Sequence, residues 1–128
     1  MRHSVAGIAW RGGRLLLARR RPGGVNSRLW EFPGGKVDTG EAPPESLARE
    51  FHEELGVAIT VGELLATGSF SHGNTRFCLE AYRIRPASTN FRLHEHEEVG
   101  WFTPDEAEAL ALVPSDRDLL RKLRRVLG

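Results

Sequence analysis

The chain has 128 residues, of which 40% are hydrophobic and 27% are charged, and these values are typical of one globular domain spanning residues 1–128. Eighteen Lys and Arg residues against 17 Asp and Glu residues leave a formal net charge of +1, which gives no overall field to attract a nucleic-acid polymer or an anionic membrane. The single cysteine, Cys78, excludes an intrachain disulfide, and no apolar run is long enough to cross a membrane, so we expect a cytoplasmic protein.

The first third of the chain predicts short strands separated by glycine-containing turns. Residues 3–10 and 14–19 are apolar segments. The intervening Arg11-Gly12-Gly13 predicts a hairpin, because glycine tolerates the positive φ of tight turns. Residues 29–32 predict another short strand. The following Pro33-Gly34-Gly35 predicts a turn in which glycine lets the backbone approach a ligand closely.

The rest of the chain predicts helices mixed with strands. A helix is expected from Pro43 to Leu55, because proline is tolerated in a first turn and Gly56 is placed to cap the C-terminus. Further strands are predicted at residues 57–70, 75–85 and 99–102, a short helix opening at 103–106, and a basic amphipathic helix at about 115–127. This order of elements indicates an α/β fold in which helices cover a mixed β-sheet.

The first predicted helix carries a dense set of carboxylates. Glu50, Glu53 and Glu54 are three and four positions apart, so they share one helix face. Their mutual repulsion costs ~0.2–0.5 kcal/mol per exposed pair, and the guanidinium of Arg49 cannot neutralise all three. Oxygen ligands at this density favour Mg²⁺, with Mn²⁺ as an alternative. The competing interpretation is a solvated helix face. The core-facing stripe consists of Leu47, Phe51 and Leu55.

The spacing around this helix resembles the Nudix box. Gly35 is followed by five residues, Glu41, seven residues and then residues 49–57, REFHEELGV, so every defining position of the box is present. Phe51 is slightly unusual, since the family more often has an aliphatic residue there, and this difference concerns packing rather than chemistry. Residues 30–36, WEFPGGK, resemble the segment before the box in MutT-type nucleoside triphosphate pyrophosphohydrolases.

The resemblance implies an α/β/α sandwich that hydrolyses a nucleoside diphosphate linked to another group, with a divalent metal. The metal ligands that it implies are the backbone carbonyl of Gly35 and the side chains of Glu50, Glu53, Glu54 and Glu95. Arg49 matches the position that orients the carboxylates, and Glu41 matches one that braces the loop against the helix. Glu50 and Glu53 are joint candidates for the general base, because a carboxylate near the attacking water can accept its proton.

Four further residues are candidate substrate contacts. Arg20, in the basic segment 19–24, matches a region that contacts phosphates in MutT-type enzymes, and its alternative is a solvated turn. Phe32 faces the base or packs in the core, while Lys36 approaches a phosphate or is solvated. Asp116 stands where MutT-type enzymes use asparagine to read an oxidised guanine, and aspartate there resembles a relative that prefers cytidine triphosphate. Its alternative role is to cap the last helix.

We therefore expect Mg²⁺-dependent hydrolysis of a nucleoside or deoxynucleoside triphosphate, damaged or pyrimidine, to the monophosphate and pyrophosphate. The alternatives are hydrolysis of a nucleotide sugar or dinucleoside polyphosphate, or a catalytically silent nucleotide-binding module. The expected partner is a small nucleotide and neither a nucleic-acid polymer nor a membrane, and the chain is expected to be a monomer or homodimer. His72, His94 and His96 are expected to be solvated loop residues.

Overall fold

The computed structural model describes residues 2–127, which form eight strands and three helices. The strands are β1 (Arg2–Ile8), β2 (Trp10–Arg11), β3 (Arg14–Arg20), β4 (Trp30–Glu31), β5 (Gly34–Lys36), β6 (Ile59–His72), β7 (Thr75–Pro86) and β8 (His96–Phe102). The helices are α1 (Pro43–Leu55), α2 (Pro104–Ala109) and α3 (Pro114–Leu127). Within residues 2–127, no helix is both long enough and apolar enough to cross a membrane.

The strands form two four-stranded sheets. In the first sheet, of order β5-β1-β7-β6, strand β1 runs antiparallel to β5 and parallel to β7, which confirms the predicted mixed sheet. A second, antiparallel sheet accompanies it, in which β3 pairs with β2, β4 and β8. The chain passes from one sheet to the other at Ala9, whose carbonyl accepts a hydrogen bond from the Leu16 N–H at 3.2 Å.

The predicted hairpin between residues 3–10 and 14–19 is confirmed at its turn, where β2 pairs with β3, but most of its first strand is β1, which pairs with β5 and β7 in the other sheet. Gly12 and Gly13 have φ values of 57° and 75°, a conformation that side chains other than glycine rarely adopt. A two-residue turn with positive φ at both positions matches the right-handed twist of the paired strands.

Apolar side chains cover both sides of the strand layer. Helix α1 packs on one side through the fully buried Leu47, Phe51 and Leu55, in a cluster completed by residues of β1, β3, β7 and β8 and of the segment after α1. Helix α3 packs on the other side through Leu119, Leu120 and Leu123. The protein is therefore an α/β/α sandwich, and the predicted core-facing stripe of α1 is confirmed.

The unusual Phe51 of α1 packs against a glycine of β1. A Cβ atom added to Gly7 would collide with the Phe51 ring, lying 2.7 Å from its Cζ. Glycine at this position therefore gives the ring its space, and the ring in turn fixes how closely α1 lies against β1. The separation of α1 from the first sheet sets the position of every carboxylate on the helix.

The segment predicted as a glycine turn is a strand instead. Gly34 and Gly35 pair with Ala6 and Val5 as part of β5. A Cβ atom on Gly34 would collide with the carbonyl group of Val5, so glycine is needed here for close contact between two strands. The sequence predicted that glycine here allows a close approach to the backbone. The group that approaches Gly34 is the backbone of β1, where a ligand was expected.

Candidate active site

Helix α1 presents its carboxylates from a well-capped framework. Its start is closed by a hydrogen bond from the Ala42 N–H to Glu45 Oε1 at 3.1 Å, next to proline in the first turn. Its end is closed by Gly56, with φ of 66° and a hydrogen bond from its N–H to the His52 carbonyl at 3.1 Å. Both ends match the expected boundaries, so the helix holds its acidic side chains in a fixed register.

The three glutamates predicted to share one helix face differ strongly in exposure. The side chain of Glu53 is 57% exposed, that of Glu50 is 16% exposed, and that of Glu54 is 5% exposed. Exposure thus decreases from Glu53 to Glu54, and Glu54 faces the core. The competing interpretation, a solvated helix face, is therefore wrong for Glu54. A buried carboxylate needs a cation or a hydrogen-bond partner to offset its desolvation.

Arg49 connects the loop before α1 to the carboxylates on the helix. Its Nε and Nη2 donate to the two oxygens of Glu41, at 2.7 and 3.0 Å. Its Nη1 donates to Glu50 Oε1 at 3.0 Å and to Glu53 Oε2 at 3.2 Å. The planar guanidinium thus holds three carboxylates in one geometry, which an ammonium group cannot do. This contact pattern agrees with the orienting role that the box position implies.

Glu41 has the geometry of a bracing residue. Its Oε1 also accepts the Asp38 N–H at 3.0 Å, so one carboxylate closes the loop and binds the helix. The hydrogen bond from Arg49, followed by that from the Asp38 N–H, lowers the pKa of Glu41 to about 2, while the Glu41 hydrogen bond raises the pKa of Arg49. Both groups are therefore charged over the whole physiological pH range.

Gly35 places its backbone beside Glu50. A Cβ atom on Gly35 would lie 2.6 Å from Glu50 Oε2, so only glycine leaves room for the carboxylate against β5. The Gly35 carbonyl accepts a hydrogen bond from Ser4 Oγ at 3.0 Å. Sequence reasoning missed Ser4, because a serine in an apolar strand carries no signal of the neighbour that the sheet gives it.

Glu54 lies at the centre of a group of acids. Burial raises its pKa well above the ordinary value, and the hydrogen bond with Glu50 and the charges of Glu50, Glu31 and Glu95 act in the same direction. Glu95, an exposed loop acid, is close enough for its charge to act on Glu54; its role as a metal ligand, implied by the likeness to MutT-type enzymes, stays a prediction. Hard oxygen donors from Gly35, Glu50, Glu53, Glu54 and Glu95 are the ligand chemistry that Mg²⁺ and Mn²⁺ prefer.

His96 is fully buried, so the expectation of a solvated loop residue is wrong for it. Its Nε2 lies 2.8 Å from Glu31 Oε2 and 3.9 Å from Glu54 Oε1. Within residues 2–127, these three side chains are the one group of His and acidic residues whose ligand atoms all lie within 4.8 Å of one another. The sequence missed this contact because strand β8 begins at His96, three residues before the predicted strand at Val99.

Two of the predicted phosphate contacts lie on strands near the glutamates. Arg20 ends β3 and is therefore not in a loop, and its Nη1 donates to Glu31 Oε2 at 3.1 Å. Lys36 ends β5, is exposed, and has its Nζ 5.1 Å from the centroid of the Phe77 ring. Arg20 thus contacts an acid, whereas the ammonium group of Lys36 lies over an aromatic ring.

Phe32 and Asp116 meet behind these cations. The Phe32 side chain is in the core at 4% exposure, which agrees with the packing alternative, and its N–H donates to Asp116 Oδ2 at 3.0 Å. Oδ2 of Asp116 therefore binds the backbone of Phe32, the residue that follows β4, and does not cap α3. Burial, followed by the charge of Glu31, raises the pKa of Asp116 to about 8, and the Phe32 N–H opposes this shift.

A separate cavity of about 360 Å³ lies among Trp10, Arg11, Arg83, Arg85 and Trp101. None of the residues that line it is a predicted site residue. The carboxylate group around Arg49 therefore lies outside this cavity.

Replacing Gly35 by alanine is expected to displace the Glu50 carboxylate, because the added methyl group would overlap its oxygens. We expect the Gly35→Ala variant to stay folded and to bind Mn²⁺ at least about tenfold more weakly, measured by isothermal titration calorimetry. Gly68→Ala is the matched control, since a Cβ atom there meets nothing within 4 Å. Unchanged Mn²⁺ affinity in Gly35→Ala would show that Glu50 does not need this space.

Asp116→Asn tests the buried acid through its effect on stability. Between the ordinary pKa of 3.8 and the raised value of about 8, the folded chain keeps the Asp116 proton and the unfolded chain loses it. The stability from this group is thus complete below about pH 4 and lost as pH rises towards 8. Relative to wild type, Asp116→Asn should gain about 1 kcal/mol in free energy of unfolding per pH unit between about pH 5 and 7, by urea denaturation. A pH-independent difference would contradict the raised pKa.

The NUDIX domain family matches residues 1–123. The chain is 38% identical over 116 residues to the CTP pyrophosphohydrolase of Escherichia coli K12, covering 91% of this chain and 86% of that protein. It is also 38% identical over 128 residues to the putative 8-oxo-dGTP diphosphatase 2 of Mycobacterium tuberculosis, covering 97% of this chain and 89% of that protein.

Solved structures show the same fold. The solution structure of the E. coli ORF135 protein matches 100% of this chain and 91% of its own, with a TM-score of 0.90 and 36% identity. The crystal structure of the MutT protein from Methanosarcina mazei Go1 matches 96% of this chain and 92% of its own, with a TM-score of 0.87 and 26% identity. With the box residues assembled around Arg49 and the family matched over nearly the whole chain, this protein belongs to the Nudix hydrolase family.

Proposed function

We propose that the chain hydrolyses a nucleoside or deoxynucleoside triphosphate, with Mg²⁺, to the nucleoside monophosphate and pyrophosphate. The observation that carries this proposal is the guanidinium of Arg49, which binds both Glu50 and Glu53 while Glu50 lies against Gly35. The names of the two relatives at 38% identity, a CTP pyrophosphohydrolase and a putative 8-oxo-dGTP diphosphatase, support a triphosphate substrate.

Nudix hydrolases generally use divalent metals, and the donor set of this chain fits such an ion. The residues that would hold it are the Gly35 carbonyl, Glu50, Glu53, Glu54 and Glu95. When bound, Mg²⁺ offsets the negative charge of the polyphosphate and makes a water molecule more acidic, with Mn²⁺ as a substitute. The chain itself contributes the fixed geometry of the carboxylates.

Glu53 and Glu50 are the candidate proton acceptors. Both bind the same nitrogen of Arg49, and Glu53 is the more exposed, so it is the easier of the two for a water molecule to reach. As the water oxygen attacks the α- or the β-phosphorus, its proton passes to the carboxylate and the bond from that phosphorus to the oxygen that bridges the two breaks, with the bonding electrons going to that oxygen. Either position gives the monophosphate and pyrophosphate. Arg49 keeps the acceptor oriented throughout.

The substrate's phosphates are proposed to contact Arg20 and Lys36. Arg20 ends β3 and is paired with Glu31, and Lys36 ends β5 and lies over the Phe77 ring. A guanidinium can bind a phosphate through two parallel short hydrogen bonds, whereas Arg20 Nη1 reaches the two oxygens of Glu31 at 3.1 and 3.4 Å.

Asp116 is proposed to read the base. Because burial raises its pKa to about 8, its carboxyl group is largely protonated at neutral pH and can both donate and accept a hydrogen bond. Cytosine offers a matching edge, with an amino donor next to a ring-nitrogen acceptor. This match favours a cytidine nucleotide, with an oxidised purine as the second choice. The ring of Phe32 is in the core, so Phe32 supports Asp116 through its N–H and does not stack on the base.

The partner is proposed to be a small nucleotide, since the net charge of +1 gives no general attraction for nucleic-acid polymers. A cytoplasmic location and a monomeric or homodimeric state stay predictions of the sequence.

The function is tested by incubating the protein with Mg²⁺ and a panel of nucleotides and identifying the products by anion-exchange chromatography. The panel contains normal and oxidised triphosphates, nucleotide sugars and dinucleoside polyphosphates. We expect monophosphate and pyrophosphate, fastest from CTP or dCTP, with kcat lowered at least about 100-fold in Glu53→Gln. Asp116→Asn should keep the same products but change the order of kcat/KM among bases.

Glu63→Gln is the matched control, because Glu63 is an exposed glutamate paired with Arg83 away from Arg49; it should behave as wild type. Nucleotide binding with no Mg²⁺-dependent turnover would identify a silent module, and turnover of only nucleotide sugars or dinucleoside polyphosphates would replace the proposed substrate. An unchanged order of bases in Asp116→Asn would remove Asp116 from base recognition.

A further inference from the structure

We infer that His96 is a positioning residue that keeps Glu54 in the orientation needed to bind the divalent cation. The inference rests on the proposed metal-dependent function. It adds a residue that lies outside the family box and that acts through Glu54 and does not itself contact the metal or the substrate.

A continuous line of polar contacts runs from a substrate-side cation to a metal-side acid. Arg20 Nη1 lies 3.1 Å from Glu31 Oε2, and the same oxygen lies 2.8 Å from His96 Nε2. His96 Nε2 in turn lies 3.9 Å from Glu54 Oε1. Glu54 is hydrogen-bonded to Glu50. A displacement of His96 would therefore reach Glu54 directly and Glu50 through it.

The imidazole ring faces two acids with one nitrogen. The distance to Glu31 is that of a hydrogen bond, whereas the distance to Glu54 is too long for one. A hydrogen on Nε2 donates to Glu31 and presents its positive edge to Glu54. The edge of the ring thus faces two carboxylates whose oxygens lie within 4.8 Å of each other, and its hydrogen offsets part of their repulsion and holds Glu54 in place beside it.

All polar contacts of the ring are made by Nε2, with Glu31 and Glu54. Nδ1 is buried and has no hydrogen-bond partner among the side chains and backbone of residues 2–127. A histidine that served only to fill volume in the core would gain nothing from a nitrogen in that position, since a buried unpaired nitrogen is unfavourable. The presence of an imidazole at position 96 is explained if Nε2 has a role that an apolar side chain cannot take.

The backbone strengthens the same connection. The His94 N–H donates to the Glu54 carbonyl at 3.3 Å, so the segment leading into β8 is attached to the last turn of α1. His96 follows two residues later as the first residue of β8. Its side chain is therefore fixed relative to Glu54 from both the backbone and the ring.

The inference is tested by titrating the nucleotide-free protein with Mn²⁺ and following the electron paramagnetic resonance signal of the free ion. The matched pair is His96→Gln, whose amide nitrogen reaches the place of Nε2, and His96→Asn, whose amide reaches only that of Nδ1. We expect His96→Asn and His96→Met to weaken Mn²⁺ binding at least about tenfold, as groups that orient metal ligands commonly do, and His96→Gln to stay within about threefold of wild type.

Two further variants keep the test decisive if a core substitution unfolds the chain. Glu31→Leu removes the acceptor that orients the ring, at a side chain that is 15% exposed, and should weaken Mn²⁺ binding about as much as His96→Asn. His94→Asn changes an exposed histidine in the same segment and should leave Mn²⁺ binding unchanged. The melting temperature of each variant is measured alongside.

The inference is overturned if folded His96→Asn, His96→Met and Glu31→Leu bind Mn²⁺ within about twofold of wild type, or if His96→Gln is as weak as His96→Asn. If these results are found while wild type binds Mn²⁺ and Glu50→Gln weakens that binding, the role of His96 fails but the proposed function stands. If wild type binds no Mn²⁺, both fail together.

Discussion

The structure depends on one guanidinium that is hydrogen-bonded to three carboxylates and lies 3.3 Å from a fourth, that of Asp38. Arg49 binds both oxygens of Glu41 and, with a single nitrogen, Glu50 and Glu53. Glu41 belongs to the loop and the other two to α1, so the ion pairs fix the loop on the helix and orient the acids at the same time. Because each partner is an acid that α1 or its loop brings close to the others, removal of the cation would leave uncompensated repulsion at the site.

Close packing gives this charged group its position. The Phe51 ring occupies the space that Gly7 leaves free, and the Glu50 carboxylate occupies the space that Gly35 leaves free. Glycines on two neighbouring strands thus bring α1 close to the sheet at its apolar face and at its acidic face. Depth then differentiates the acids: Glu53 reaches water, while Glu54 lies among Glu31, Glu50 and His96.

Local patterns in the sequence were sufficient for α1, its caps, the β2–β3 hairpin and the carboxylate face, because each depends on residues within a few positions of one another. Contacts between distant segments were not predictable. Ser4 meets Gly35, Glu31 meets His96, and Phe32 meets Asp116 only after the strands have paired. The turn predicted at Gly34 and Gly35 is wrong for the same reason. Glycine favours a turn locally, whereas here it allows β5 to lie against β1 and Glu50.

The central claim is that the residues around Arg49 bind a divalent cation. Anomalous diffraction from crystals grown with Mn²⁺ and a non-hydrolysable nucleoside triphosphate analogue would test it directly. The account predicts a peak within coordination distance of the Gly35 carbonyl and of the Glu50, Glu53 and Glu54 carboxylates, with His96 outside the coordination sphere. A peak coordinated by Glu31 and His96 instead, or no peak near α1, would contradict it.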